Sequence, residues 1–148
     1  MVEGASASVT IRAAVEEIRP LMDRIARTGR AAGVPEATID ELCLCLDELL
    51  TNLIMHAGLG PDAEISVAYA IDPARVAAEI TDPGPAFDPL SLPTPDVDAP
   101  LDERRPGGLG IHFVRTLMDE VRYERVNSRN RLRFAKRVAA DSSSTTQP

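Results

Sequence analysis

The chain has no tryptophan, only three phenylalanines and two tyrosines, so aromatics make up 3% of its 148 residues. Its core must therefore be aliphatic, built from Leu, Ile, Val and Ala, a composition that favours helices packed on a sheet. Positive charge is also in deficit. Sixteen basic against 23 acidic side chains leave a formal charge of −7, which argues against sequence-independent binding to nucleic acid or an anionic membrane, a local basic patch apart. The two cysteines, Cys43 and Cys45, are spaced for neither a CxxC redox pair nor a zinc pair, and on a helix they point to different sides. They are expected to be reduced and partly buried. Long apolar runs are missing as well: no window approaches the roughly 18 residues of a membrane helix, and MVEGASASVTIRAA has no basic region followed by an apolar stretch. A cytoplasmic protein with no membrane contact is the expectation.

What is present is enough for one domain, since 44% of the residues are hydrophobic and a chain of this length can bury a core. SVTIRA alternates apolar and polar residues and reads as an edge strand. From Ala13 to about Arg30, Val15, Ile18, Leu21, Met22 and Ile25 recur at helical spacing despite Pro20, and Gly29 and Gly33 are read as closing that helix. Pro35 and Glu36 open a second helix that runs to about His56. AEISVAYAI and ARVAAEITD, joined at Asp72-Pro73, make a hairpin. A segment dense in Pro, Asp and Gly follows, far longer than the usual connection and therefore of functional interest. Leu109 to Met118 reads as a short helix, and EVRYERV and RLRFAKRV around NSRN as a second hairpin. The expected architecture is α+β, a two-layer sandwich of a mostly antiparallel sheet with helices on one face, over residues 1–138. Residues 139–148, ending DSSSTTQP, are expected to be a disordered tail.

Three short stretches carry chemical interest. In LDELLTNLIMH, Glu48, Asn52 and His56 lie four apart and share one side of a helix, beside the apolar stripe of Leu42, Leu46, Leu49 and Leu53. By itself such a stripe is a solvated face, with Asp47 exposed and His56 a surface or capping residue. ITDPGPAFDP ends a strand with Asp82 and Gly84, which alone makes an ordinary turn. GGLGIHF opens a helix with glycines, whose backbone N–H groups can approach a phosphate.

Taken together and in this order, ELLTN, DPGPAFDP and GGLGI resemble the N, G1 and G2 boxes of the GHKL ATPase superfamily. More closely, DELLTN followed by a His, FDP, LMDEV and a final hairpin ending in KR resemble the anti-sigma factor serine kinases, a bacterial branch related to histidine kinases. The resemblance covers roughly residues 7 to 138 and implies the Bergerat ATP-binding fold. It implies ATP and Mg²⁺ as cofactors, with Asn52 on the metal and Glu48 as general base toward a serine hydroxyl. Asp82 would receive the exocyclic amine of adenine, with Gly84 leaving room for the ring. Gly107, Gly108, Leu109 and Gly110 would cradle the phosphates, and the segment from about Leu90 to Pro106 would be a lid. Arg104 and Arg105 at its end stand open between phosphate oxygens and a salt bridge with Asp102 or Glu103. Asn130 falls where the family often has a small polar residue near the base. Two departures are Arg129, where a Gly is common, and Pro85-Ala86, which stiffens the turn facing the nucleotide.

The implied function is an ATP-binding serine kinase that phosphorylates an anti-anti-sigma-type protein and itself holds a sigma factor inactive, without direct nucleic-acid contact. The family commonly dimerises, and the exposed edge of SVTIRA offers a surface for a homodimer. The rival reading is a non-catalytic switch in which ATP orders the lid and controls a protein contact. A sensor histidine kinase is disfavoured because no helical segment with a phosphoacceptor His precedes the ATP domain. A metal hydrolase using Glu48 and His56 lacks a further ligand cluster.

Overall fold

The structure, a computed structural model, describes residues 4–91 and 108–138. Its elements follow the order β1 (Ala5–Arg12), α1 (Ile18–Ala31), α2 (Glu36–His56), β2 (Glu64–Asp72), β3 (Arg75–Asp82), α3 (Gly108–Leu117), β4 (Glu120–Val126) and β5 (Arg129–Arg137). The strands form one sheet in the order β1-β2-β3-β5-β4, every pair antiparallel. The expected α+β sandwich is therefore present, and SVTIRA lies in the edge strand β1 as its alternation suggested. Residues 139–148 and 92–107 lie outside the described residues.

Strand periodicity sets which side chains face the helices. Ile65, Val67, Tyr69 and Ile71 of β2, Val76, Ala78 and Ile80 of β3, and Leu132 and Phe134 of β5 are all buried, at alternate positions. The intervening residues face the other way, where Glu79 pairs with Arg133 at 2.6 Å and Glu124 with Arg131 at 3.0 Å. These are cross-strand neighbours in the registers Glu79↔Arg133 and Glu124↔Arg131. Two tight turns hold the registers. Asp72 Oδ1 accepts the backbone N–H groups of Ala74 and Arg75 at 2.7 and 2.8 Å, the side-chain turn that Asp forms readily. Between β4 and β5 the turn residues Asn127 and Ser128 have φ of 52° and 63°, the left-handed pair that matches strand twist in a two-residue hairpin.

Helix α2 carries the centre of the core through Leu42, Cys45, Leu46, Leu49 and Leu50, and packs between α1 and α3. The first helix differs from the sequence expectation at both ends. A single 3₁₀ turn, Val15–Glu17, precedes it, and Glu17 Oε1 accepts the Arg12 backbone N–H at 3.0 Å. Pro20 then falls in the first helical turn, where its missing N–H costs little. At the other end Gly29 does not close the helix but sits inside it, facing α2: a Cβ there would come within 2.8 Å of Ile39 Cγ1. Its role is close helix approach. Gly33, at φ +81°, is the actual stop, with Val34 N–H bonded to Gly29 O and Gly33 N–H to Arg30 O, the Schellman pattern.

Candidate functional site

The site forms where core-facing stripes run out of apolar residues. In β3, Asp82 is in phase with Val76, Ala78 and Ile80, so its carboxylate faces inward and is only 4% exposed. In β5, Asn130 is in phase with Leu132 and Phe134 and is likewise buried. The two residues are directly opposite each other in the β3–β5 register, and Asn130 Nδ2 donates to Asp82 Oδ1 at 3.2 Å. The same oxygen accepts Gly84 N–H at 2.8 Å. A Cβ at Gly84 would lie 2.8 Å from that oxygen, so the close turn requires glycine. Both bonds end on Oδ1, and the second carboxylate oxygen is the one available to a ligand donor.

The polar stripe of α2 stands opposite. Glu48 and Asn52 are half-buried, Asp47 and His56 are exposed, and Thr51 donates to Asp47 at 3.1 Å. Leu42, Leu46 and Leu49 are buried and Leu53 packs against them, as the helical spacing required. Onto this stripe comes the glycine-led start of α3. Gly110 packs so tightly that a Cβ would approach Asn52 Nδ2 to 2.9 Å and Glu48 Cβ to 3.5 Å. Gly110 is thereby held beside Asn52 and Glu48 in the first turn of α3, the end of a helix whose N–H groups and dipole favour an anion.

Between these elements lies a cavity of about 450 Å³, within the range of small-molecule sites. Leu49, Leu53, Ile80 and Leu132 give it apolar walls, Phe87 and Tyr123 close it, and Asn52, Asp82 and Asn130 supply polar atoms. Such a slot suits a flat heterocycle that carries a donor for Asp82. A larger depression of about 1040 Å³ lies on the open face of the sheet, over Ala68, Ala77 and Ala135, and includes none of the candidate residues. It is shallow sheet surface, and the chemistry belongs to the smaller cavity.

The structure thus brings together Glu48, Asn52, Asp82, Gly84, Gly108, Leu109, Gly110 and Asn130, although Glu48 and the α3 glycines adjoin the cavity without lining it. Arg104, Arg105, Gly107 and almost all of the expected lid lie outside the described residues. Leu90 at the lid's start is described, and its carbonyl accepts a bond from Arg115 Nη2 of α3. Asp88 shapes the preceding loop, its Oδ1 accepting Leu90 N–H at 2.8 Å and its carbonyl accepting Ser91 Oγ at 2.6 Å. His112 is half-buried with its ring 6.1 Å from that of Phe113, a packing role. Sequence reasoning missed Tyr123, Arg125 and Phe87. Arg125 could have been found: in EVRYERV it is in phase with Val121 and Tyr123, which places a charge on the inward face.

Among the described residues no group of three or more His, Cys, Asp and Glu is placed to hold a metal ion, and no helix is long and apolar enough to cross a membrane. A magnesium ion that takes most of its ligands from phosphates and waters needs no such cluster; a side-chain amide, that of Asn52, next to a glycine-led helix start is compatible with it. The thiols stay protonated, since burial pushes Cys43 up to about 11 and Cys45 up to about 12. Both are free, in agreement with the reduced core role read from their spacing.

Residues 11–136 match the family model of the histidine kinase-like ATPase domain. The chain belongs to that family. Within it, the serine/threonine-protein kinase BtrW of Bordetella bronchiseptica is 33% identical over 102 residues, covering 68% of this chain and 72% of BtrW. The serine-protein kinase RsbW of Listeria monocytogenes is 32% identical over 108 residues, covering 68% and 69%. The crystal structure of the RsbU and RsbW domains of Rv1364c from Mycobacterium tuberculosis superposes with a TM-score of 0.65 at 16% identity, over 93% of this chain and 33% of that one. At that identity the likeness establishes the fold alone. The histidine kinase-like ATPase fold accounts for the arrangement found here, with α2 and α3 framing one end of the cavity and the β3–β5 polar pair the other.

Proposed function

We propose that this histidine kinase-like ATPase domain is a protein serine kinase that uses Mg-ATP to phosphorylate a small anti-anti-sigma-type partner and holds a sigma factor inactive. One observation carries the reading: Gly110 meets Asn52 and Glu48, so a glycine-led helix start adjoins the end of a cavity that Asn52 lines together with Asp82. The kinase relatives BtrW and RsbW each align with 68% of this chain and support the assignment.

Each residue has a definite task in this reading. Asp82 accepts a hydrogen bond from the adenine amine, in a walled slot where an unpaired carboxylate would be costly. The first backbone N–H groups of α3 hold phosphate oxygens, and Asn52 presents its amide oxygen to the magnesium ion. Bound Mg-ATP supplies the transferable phosphoryl group with its charge partly neutralised. Glu48 accepts the proton of the incoming serine hydroxyl as its oxygen bonds to the γ-phosphorus and the bond to ADP breaks. The retained carboxylate at position 48 favours this kinase over the non-catalytic switch, which requires no base.

Calorimetric titration with Mg-ATP tests the reading directly. The expected result is magnesium-dependent binding that Asn52→Ala weakens, and loss of phosphate transfer to an anti-anti-sigma-type substrate in Glu48→Gln with binding retained. Absence of nucleotide binding by the folded protein sinks the proposal. Unchanged transfer in Glu48→Gln removes the base assignment.

A further inference from the structure

Asn130 lines the cavity, yet its amide is fully engaged by the protein. Oδ1 faces Tyr123 Oη at 2.5 Å, Arg125 Nη1 at 3.2 Å and the Phe87 N–H at 3.2 Å. Nδ2 donates to Pro85 O at 2.8 Å and Asp82 Oδ1 at 3.2 Å, with Gly84 O at 3.4 Å. The orientation of the amide follows from chemistry. Arg125 and the Phe87 N–H can only donate, so the oxygen must face them; Asp82 and the Pro85 carbonyl can only accept, so the nitrogen must face those. Two donor hydrogens and two acceptor lone pairs are thereby used up, and nothing is left for a base.

The partners form a row across three strands. Arg125 is directly opposite Asn130 in the β4–β5 register, and Asn130 is opposite Asp82 in the β3–β5 register. Arg125 Nη1 also donates to Gly84 O at 2.8 Å, so the segment from Gly84 to Phe87 is tied to β4 and β5 at four backbone atoms: Gly84 O, Pro85 O, Phe87 N and, through Asp82, Gly84 N. Stability alone does not call for this arrangement, because apolar residues of similar volume usually serve a core edge as well as a polar network does. Its product is a carboxylate on the cavity wall whose Oδ1 is held by two protein hydrogen bonds.

We propose that Tyr123, Asn130 and Arg125 form a clamp that holds the Gly84–Phe87 turn and aims Asp82 at the exocyclic amine of the nucleobase, so that Asn130 is a positioning residue for purine selection. This deepens the ATP-site reading and rests on it. The clamp acts through Asp82, so it governs preference for a 6-amino over a 6-oxo purine, whereas a purely structural role would weaken both ligands alike.

The test is calorimetric titration of the whole chain with Mg-ATP and with Mg-ITP, for the wild type, Asn130→Ala and Tyr123→Phe. Asn130→Ala is expected to weaken Mg-ATP binding by about tenfold and Mg-ITP by less than about threefold, the scale of one lost hydrogen bond to a charged group. Tyr123→Phe keeps the ring and removes only the hydroxyl, so it should narrow the ATP preference by about threefold; it decides the matter where Asn130→Ala fails to fold. Both folded variants retaining the wild-type preference would falsify the clamp. A wild type that binds the two nucleotides equally also overturns it, because Asp82 then does not read the amine, while leaving the ATP-site reading standing. A wild type that binds neither overturns both.

Discussion

Gly110 of α3 stands so close to Asn52 of α2 that a single added carbon would lie 2.9 Å from the Asn52 amide nitrogen. The atom it meets is the free end of a side chain rather than backbone, so the fold can give way at Asn52 alone.

Gly110→Ala should therefore turn the Asn52 amide aside with little loss of stability. Mg-ATP affinity is expected to fall about tenfold or more, the scale of one misplaced charge-assisted contact, with the thermal midpoint within a few degrees of the wild type. Calorimetry and a thermal melt on the same preparation check both halves.

Asp82→Asn keeps the volume and removes the charge from a residue 4% exposed to solvent. Its Oδ1 bonds to Gly84 N–H and Asn130 Nδ2 survive if the new amide keeps its oxygen on that side, and the new –NH₂ then meets the adenine amine donor to donor. Mg-ATP affinity should fall by about 10- to 100-fold, as for a lost hydrogen bond to a charged group. An unchanged Kd would show that the base lies elsewhere.

Gly29 inside α1 and Gly33 just beyond its end separate packing from backbone strain. Gly29→Ala puts a methyl 2.8 Å from Ile39 Cγ1, and overpacking of that kind costs about 1–3 kcal/mol, offset by roughly 1 kcal/mol of better helix propensity. Gly33→Ala meets no atom within 4 Å but forces a side chain into φ +81°, worth about 1–2 kcal/mol. Denaturant unfolding of the two variants should show both destabilised, with nucleotide affinity unaffected because neither glycine borders the cavity.

The buried thiols give a pH signature. Burial raises Cys43 to about 11 and Cys45 to about 12 from the ordinary 9.0, so the folded state prefers the neutral thiol more than the unfolded chain does. Their contribution is complete below pH 9 and is lost as the pH rises through about 11 to 12. Stability should fall more steeply above pH 9 in the wild type than in Cys43→Ala/Cys45→Ala, and a thiol reagent at pH 8 should react slowly until the protein is denatured.

Much of the site was legible because its parts are short. The spacing of Glu48, Asn52 and His56 fixes one side of α2 whatever surrounds it, and the alternation in ARVAAEITD puts Asp82 in phase with Val76 and Ile80. Gly29 was misread since a glycine near a helix end has the same local signature whether it stops the chain or admits a neighbour; only Ile39, on another helix, distinguishes them. The phase of EVRYERV puts Tyr123 and Arg125 on the inward face, but no local pattern says that the β5 residue they will meet is Asn130.

By itself the sequence determined the elements, their apolar faces and the local order of the three motifs, since helical and strand periods are properties of a few adjacent residues. The tertiary structure decided which motifs meet: Gly110 on Asn52, Asn130 opposite Asp82, Arg125 opposite Asn130. Those meetings depend on strand register and helix packing, set by burying whole apolar faces at once; a slip of one residue in β5 would send Asn130 to the outer face with the ion pairs.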